Sequence, residues 1–204
     1  MAYSNFTLAT AKASLDLILD ETQNLFAGIA AVSPSEQLTL ALAENISLAT
    51  AINTEKARSE FLIAPILSEV RRQLDYQVSL FSGTEFNVDE ERGLSGYCDY
   101  ILSQSKEQYY IDAPVVTIVE AKNENIKGGL GQCVAAMVAA QLFNQKAAND
   151  IELIYGAVTT GTNWKFLTLK GNTVCIDLIE YHISQVSQIL AILLQPLQSI
   201  MIKA

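Results

Sequence analysis

The sequence predicts an α/β fold, with a central mixed β-sheet flanked by helices and an added helical segment at the N-terminus. Three observations carry this. The run Val115-Val116-Thr117-Ile118-Val119 is nearly continuous in apolar and β-branched residues, as a strand buried on both faces should be. A helical stretch from Gln132 to Asn144 separates it from a second strand pattern, Glu152 to Val158, and a strand–helix–strand step implies a parallel or mixed sheet. Helical patterning dominates before residue 76, whereas strand patterning dominates after it.

Taken in order, residues 1–53 read as two or three short helices, rich in Ala, Leu and Ile, forming an extension to the core. Ser35 is placed to cap a helix beginning at Glu36, with Pro34 closing the segment before it. Thr54 is an N-cap for a long helix whose apolar side includes Ala57, Phe61, Ile63, Ile66, Leu67, Val70 and Leu74, and Pro65 should bend or break it. Arg58, Arg71 and Arg72 make it the densest positive stretch of the chain. Tyr76, Val78 and Leu80 alternate with polar residues as an exposed strand would, Phe81-Ser82-Gly83-Thr84 reads as a turn, and residues 85–95 as an acidic loop. Tyr97 to Leu102 reads as a strand. Gly128-Gly129 is expected to end the loop before the helix at Gln132. Thr160 to Asn163 reads as a turn, Trp164 to Lys170 and Thr173 to Leu178 as strands, and Ile183 to Met201 as an apolar helix containing Pro196. That last helix is too apolar to stand in solvent, so it should pack on the N-terminal helices or on a second subunit. The organisation is one domain: an extension over 1–53, a core over 54–180 and a C-terminal helix over 181–204.

Composition narrows the function. Of 204 residues, 50% are hydrophobic and 17% charged, which excludes a disordered chain. The net charge of −9, from 22 acids and 13 bases, argues against coating nucleic acid by bulk charge, though not against a local basic site. Cys98, Cys133 and Cys175 lie far apart and His182 is the only histidine, so a structural zinc site and a disulfide framework are both excluded. No apolar run approaches the roughly 20 residues of a membrane span, and no signal peptide is visible. The chain reads as cytoplasmic, in a reducing compartment, with no membrane association.

The chemistry concentrates at the end of the most apolar strand, Val115 to Lys122. Alternation puts Val116, Ile118, Glu120 and Lys122 on one face and Val115, Thr117, Val119 and Ala121 on the other. A glutamate and a lysine thus emerge side by side from a hydrophobic strand, where a charge is costly unless paired or metal-bound. Asp99 sits in the preceding apolar strand, and pairing of the two strands would bring it to Glu120 at one edge of the sheet. Two carboxylates suit Mg²⁺, and a neighbouring lysine can orient or deprotonate a water for phosphodiester hydrolysis.

Gly96-x-x-Asp99, twenty residues, then Glu120-x-Lys122 resembles the PD-(D/E)XK nuclease superfamily. Glu60 on the preceding helix and Gln132 at the start of the following one resemble further residues of several branches. Tyr155 to Gly161, with Trp164 and Phe166, resembles the later strands of bacterial members. The resemblance covers roughly residues 54–180. It implies a restriction-endonuclease-like core, with Asp99, Glu120 and Glu60 as ligands of Mg²⁺ or Mn²⁺, Lys122 as the catalytic lysine and Gln132 as a further site residue. It implies a nuclease acting on nucleic acid, DNA before RNA, as a homodimer or with a protein partner supplying specificity. Two departures stand out: Cys98 occupies the place of the proline, and Ala136 that of a tyrosine found in one branch.

Simpler readings run beside these. Glu120 and Lys122 can be a strand-end ion pair, Asp99 a capping residue, Glu60 a solvated partner of Lys56, and Gln132 a first-turn helix residue. Trp164 and Phe166 suit the core, and Gly128 to Gly131 lacks the lysine and hydroxyl residue of a phosphate loop. The alternative function is a catalytically silent protein of the same fold, serving as a binding or regulatory module.

Overall fold

The structure is a computed structural model that describes residues 2–200, with side chains as far as Leu197. Its strands are β1 (Ile18–Asp20), β2 (Ser79–Glu85), β3 (Tyr97–Ser103), β4 (Val115–Ala121), β5 (Leu153–Thr159), β6 (Asn163–Lys170) and β7 (Thr173–His182). They form one mixed sheet in the order β1-β7-β6-β5-β4-β3-β2. β4 lies inside it, parallel to β5 and antiparallel to β3, and every one of its residues is buried. The helices are α1 (Leu8–Ser14), α2 (Glu36–Ile52), α3 (Glu55–Arg58), α4 (Ala64–Gln73), α5 (Ile126–Lys146) and α6 (Val186–Leu194). One face of the sheet is covered by α5 and α1, the other by α2, α4 and α6.

Local sequence explains the helix starts. Ser35 Oγ accepts from the N–H of Leu38 at 3.2 Å, and Thr54 Oγ1 from that of Ala57 at 3.1 Å, as expected of N-caps. α3 and α4 are joined by a π-helical turn, Ser59–Ile63, in which the N–H of Ala64 donates to the carbonyl of Ser59. Pro65 accounts for it: a proline in an α-helix lacks one donor and presses its ring on the carbonyl four residues back, and the wider turn just upstream makes room. α5 is long and apolar enough to cross a membrane by length and composition alone, but most of its apolar window is buried in the protein, against the sheet.

Several expectations are corrected. Residues 1–53 are not only helical. Ile18–Asp20 forms a parallel edge strand on β7, and the Tyr3 hydroxyl donates to the buried carbonyl of Phe86 at 2.6 Å, so this segment completes the sheet and core. Phe81 to Thr84 is not a turn but the middle of β2; the turn comes earlier, where Asp75 and Tyr76 both take positive φ. Gly128 and Gly129 belong to the first turn of α5, which begins at Ile126 with Asn125 as its cap. A β-bulge alters the face assignment on β4. Leu102 pairs with Thr117 but Ser103 pairs with Val115, so Val116 is the extra residue and packs with the α4–α6 side, while Val115 packs toward α5. From Thr117 onward the predicted alternation holds. The C-terminal helix is interrupted: 3₁₀ turns at Ile183–Gln185 and Gln195–Ile200 flank α6, the second containing Pro196, and Met201 lies outside the described residues. α6 packs against α4 and β7, in a cluster shared with Leu38 and Leu42 of α2.

Candidate active site

The β3–β4 register pairs Ile101 with Ile118 and Tyr100 with Val119, so one step further Asp99 faces Glu120. The meeting point is the C-terminal end of β4, inside the sheet rather than at its edge. Asp99 Oδ2 accepts from the backbone N–H of Ala121 at 2.8 Å, which fixes the carboxylate across the strand gap. Glu120 is 2% exposed, and its carboxyl lies within hydrogen-bonding reach of that of Asp99. Lys122 Nζ donates to Glu120 Oε1 at 2.6 Å and stands 4.0 Å from Glu55 Oε2. Its backbone N–H donates to the carbonyl of Thr159 at 2.8 Å, extending the ladder to β5. The lysine stem runs over α5 at Gly129, where a Cβ would lie 3.0 Å from Lys122 Cγ and 2.7 Å from Val158 Cγ1. Glycine there is what lets the stem and the helix approach.

Burial, and then the charge of Asp99, push the Glu120 carboxyl up to about 8, against the pull of Lys122. Burial works to lower the Lys122 ammonium, but Glu120, Glu55 and Asp99 outweigh it and raise the pKa. Three acids therefore surround one lysine, which stays an ammonium, and the cluster is short of positive charge. This is the setting a hard cation fits: two close carboxyl groups, all-oxygen donors and an opening to solvent. Among the described residues no three His, Cys, Asp or Glu side chains converge as a ready-made cage. The donor set is therefore a carboxyl pair, the kind Mg²⁺ takes while keeping several waters.

The chain matches no family model, no curated protein and no solved structure.

A cavity of about 310 Å³ opens beside Asp99, lined among others by Glu55, Lys56, Ser59, Glu60 and Tyr100. Glu60 stands at its mouth with a side chain 53% exposed and paired to Lys56 Nζ at 2.6 Å, which is the simpler reading of that residue. Gln132, half-buried in the second turn of α5, is not among the lining residues. The structure thus brings Asp99, Glu120 and Lys122 together and puts Glu60 on the rim of the cavity, which Asp99 lines while Glu120, Lys122 and Gln132 do not. Trp164 and Phe166 stack in the core.

Glu55, Ser59 and Tyr100 also line the cavity and are not among the site residues expected from the sequence. The hydroxyls of Tyr100 and Ser59 lie 2.6 Å apart, and Tyr100 also donates to the Ser59 carbonyl at 3.1 Å, tying β3 to the π turn. A signal was present. Glu55 and Ser59 sit at i and i+4, one helix face, and Tyr100 adjoins Asp99.

Proposed function

We propose that this chain is a metal-dependent nuclease of the PD-(D/E)XK kind, hydrolysing phosphodiester bonds in DNA before RNA. One observation carries the reading: Asp99 and a buried Glu120 face each other on neighbouring strands, with the ammonium of Lys122 bound to Glu120. Asp99 and Glu120 are the residues that would hold Mg²⁺ or Mn²⁺. A bound ion of this kind polarises a phosphoryl oxygen and makes a bound water more acidic.

The chain's own residues supply the rest. The Ala121 N–H holds Asp99 in place, and the Lys122 ammonium holds Glu120. Lys122 keeps its proton at Nζ and offers it as a hydrogen-bond donor to the attacking water and to the charge growing on the phosphate. The Tyr100–Ser59 link holds the cavity wall against β3.

A second reading has its own support. The Glu120–Lys122 pair is satisfied internally, and a net charge of −9 weakens attraction to phosphates, as suits a silent binding or regulatory module. On the nuclease reading the same charge calls for a homodimer or a protein partner to bring substrate in.

The deciding experiment incubates purified protein with plasmid DNA, linear DNA and single-stranded RNA, in Mg²⁺, Mn²⁺ or chelator. Metal-dependent cleavage that disappears in Asp99→Ala supports the nuclease. Cleavage that survives in Asp99→Ala, or an absence of both cleavage and metal binding, overturns it in favour of the module.

A further inference from the structure

Two hydroxyl groups from different elements stand in the wall of the cavity beside Asp99: Ser59 from the π turn and Tyr100 from β3. They lie 2.6 Å apart, and either can be the donor in that contact. The phenol belongs to a residue only 3% exposed and has a single proton. That proton has two acceptors in reach, the Ser59 carbonyl at 3.1 Å and Ser59 Oγ at 2.6 Å. In the first arrangement the Ser59 hydroxyl donates to the phenol oxygen. In the second the phenol donates to Ser59 Oγ, and the serine proton is free to turn into the cavity. A carbonyl that loses its donor would ordinarily oppose the change. Here the π turn removes that cost, because the N–H of Ala64 also donates to the Ser59 carbonyl. The Ser82 hydroxyl, on the same wall, is within reach of the phenol oxygen and can donate to it in place of Ser59.

We propose that Ser59 is a substrate-contacting donor, giving its hydroxyl proton to a non-bridging phosphate oxygen of a nucleic-acid strand, with Tyr100 behind it as a positioning residue. The assignment rests on the nuclease reading, which supplies both the strand and the cation. The charged donors nearby are already committed: Lys56 to Glu60 at 2.6 Å, and Lys122 to Glu120 at 2.6 Å with Glu55 4.0 Å away. Glu55, Glu60 and Asp99 all line the cavity, so a free anion is repelled and a phosphate enters only on a divalent cation. Its remaining oxygens then need donors that these acids do not capture. A hydroxyl meets that need, since it donates without carrying charge, and serine and tyrosine hydroxyls are ordinary partners of backbone phosphates.

The test reads binding first. A fluorescein-labelled oligothymidylate is titrated with the whole chain in Ca²⁺ and in chelator, and binding is followed by anisotropy. Wild type is expected to bind in Ca²⁺ and far more weakly in chelator. Ser59→Ala should weaken binding in Ca²⁺ about tenfold, the scale of one hydrogen bond to a charged group. Alanine is the better helix former, so the thermal midpoint should hold or rise. Ser59→Thr, which restores a hydroxyl, should recover most of the affinity, as a purely structural role for Ser59 would not require. Tyr100→Phe removes the supporting proton but leaves the serine, and should cost about threefold. No binding by wild type in Ca²⁺, or equal binding by wild type and Ser59→Ala, overturns the contact. Ser59-dependent binding by a protein that cleaves nothing in Mg²⁺ or Mn²⁺ keeps the contact and removes the nuclease. Cleavage with the affinity of Ser59→Ala undiminished does the reverse.

Discussion

The ammonium of Lys122 lies 2.6 Å from an oxygen of Glu120, a residue almost sealed from solvent. Removing it leaves two close carboxyl groups with no cation between them. Lys122→Met, which keeps the stem over Gly129, should lower cleavage by about 100-fold or more, the scale of a positioned proton-handling group. Affinity for Mn²⁺, read by calorimetry, should be unchanged or higher. Near wild-type cleavage by this variant would remove Lys122 from the mechanism.

The raised carboxyl makes stability depend on pH. The folded pKa of Glu120, about 8, lies above the ordinary 4.5, so the folded protein holds a proton that the unfolded chain releases. The contribution of this group is fully present below pH about 4.5 and is lost as pH rises through about 8. The denaturation midpoint of metal-free protein should therefore fall across that range, and Glu120→Gln should flatten the fall. Added Mg²⁺ should restore stability at pH about 8 in wild type but not in Glu120→Gln. Identical pH profiles for the two proteins would contradict the assignment.

Glu69 behaves in the opposite sense. It is fully buried in α4, where Oε1 accepts from the Ser35 N–H and Gln73 Nε2, both at 2.9 Å, and Oε2 from Ser35 Oγ at 2.8 Å and from Arg72. Burial alone would raise its pKa, but these donors together lower it. Its contribution is thus present above the unfolded pKa and lost as the solution is acidified through the folded one. Glu69→Ala should cost about 3 kcal/mol, as a broken buried pair does. Hydrogen exchange in the first turn of α2 should quicken at the same time.

Asn144 is a prediction about structure alone. Its side-chain amide grips both backbone groups of Val115, accepting from the N–H at 2.8 Å and donating to the carbonyl at 2.6 Å, where β4 begins. Asn144→Ala should lower stability by about 2 kcal/mol, since two buried backbone groups lose their partners. Cleavage by the folded fraction at low temperature should stay near normal. A specific loss of cleavage would mean that the start of β4 governs its end.

The Asp99–Glu120–Lys122 arrangement was legible because strands alternate and an apolar strand rarely ends in charge. The run from Val115 announces β4, and the pairing of two such strands brings the acids together. The unread parts share a physical cause: they depend on partners far off in sequence. β1 has three residues, with Ile18 opposite Thr173, and no local pattern marks so short a strand. The extra residue Val116 is as apolar as its neighbours, so nothing in the sequence says which valine slips. Gly83 and the pair Gly128-Gly129 look like punctuation, yet the first sits within an edge strand and the others within the first turn of a buried helix. Glu60 stands on the helix where the family resemblance expects an acid, but the lysine one turn before it claims its carboxylate.

The π turn between α3 and α4 makes chain length a variable of its own. Ser59–Ile63 holds one residue more than an α-helical turn would, so it works as a phase shifter. Deleting a single residue there would rewind the segment as plain α-helix and rotate α3 by about 100° against α4. Glu55 and Ser59 would swing away from Lys122 and Tyr100, and Arg58 from the Thr160 carbonyl, although no other side chain had been changed. Point substitutions along this segment are matters of packing and charge. A one-residue change in its length would take apart the cavity beside Asp99 and the buried hydrogen bonds of Arg58 together.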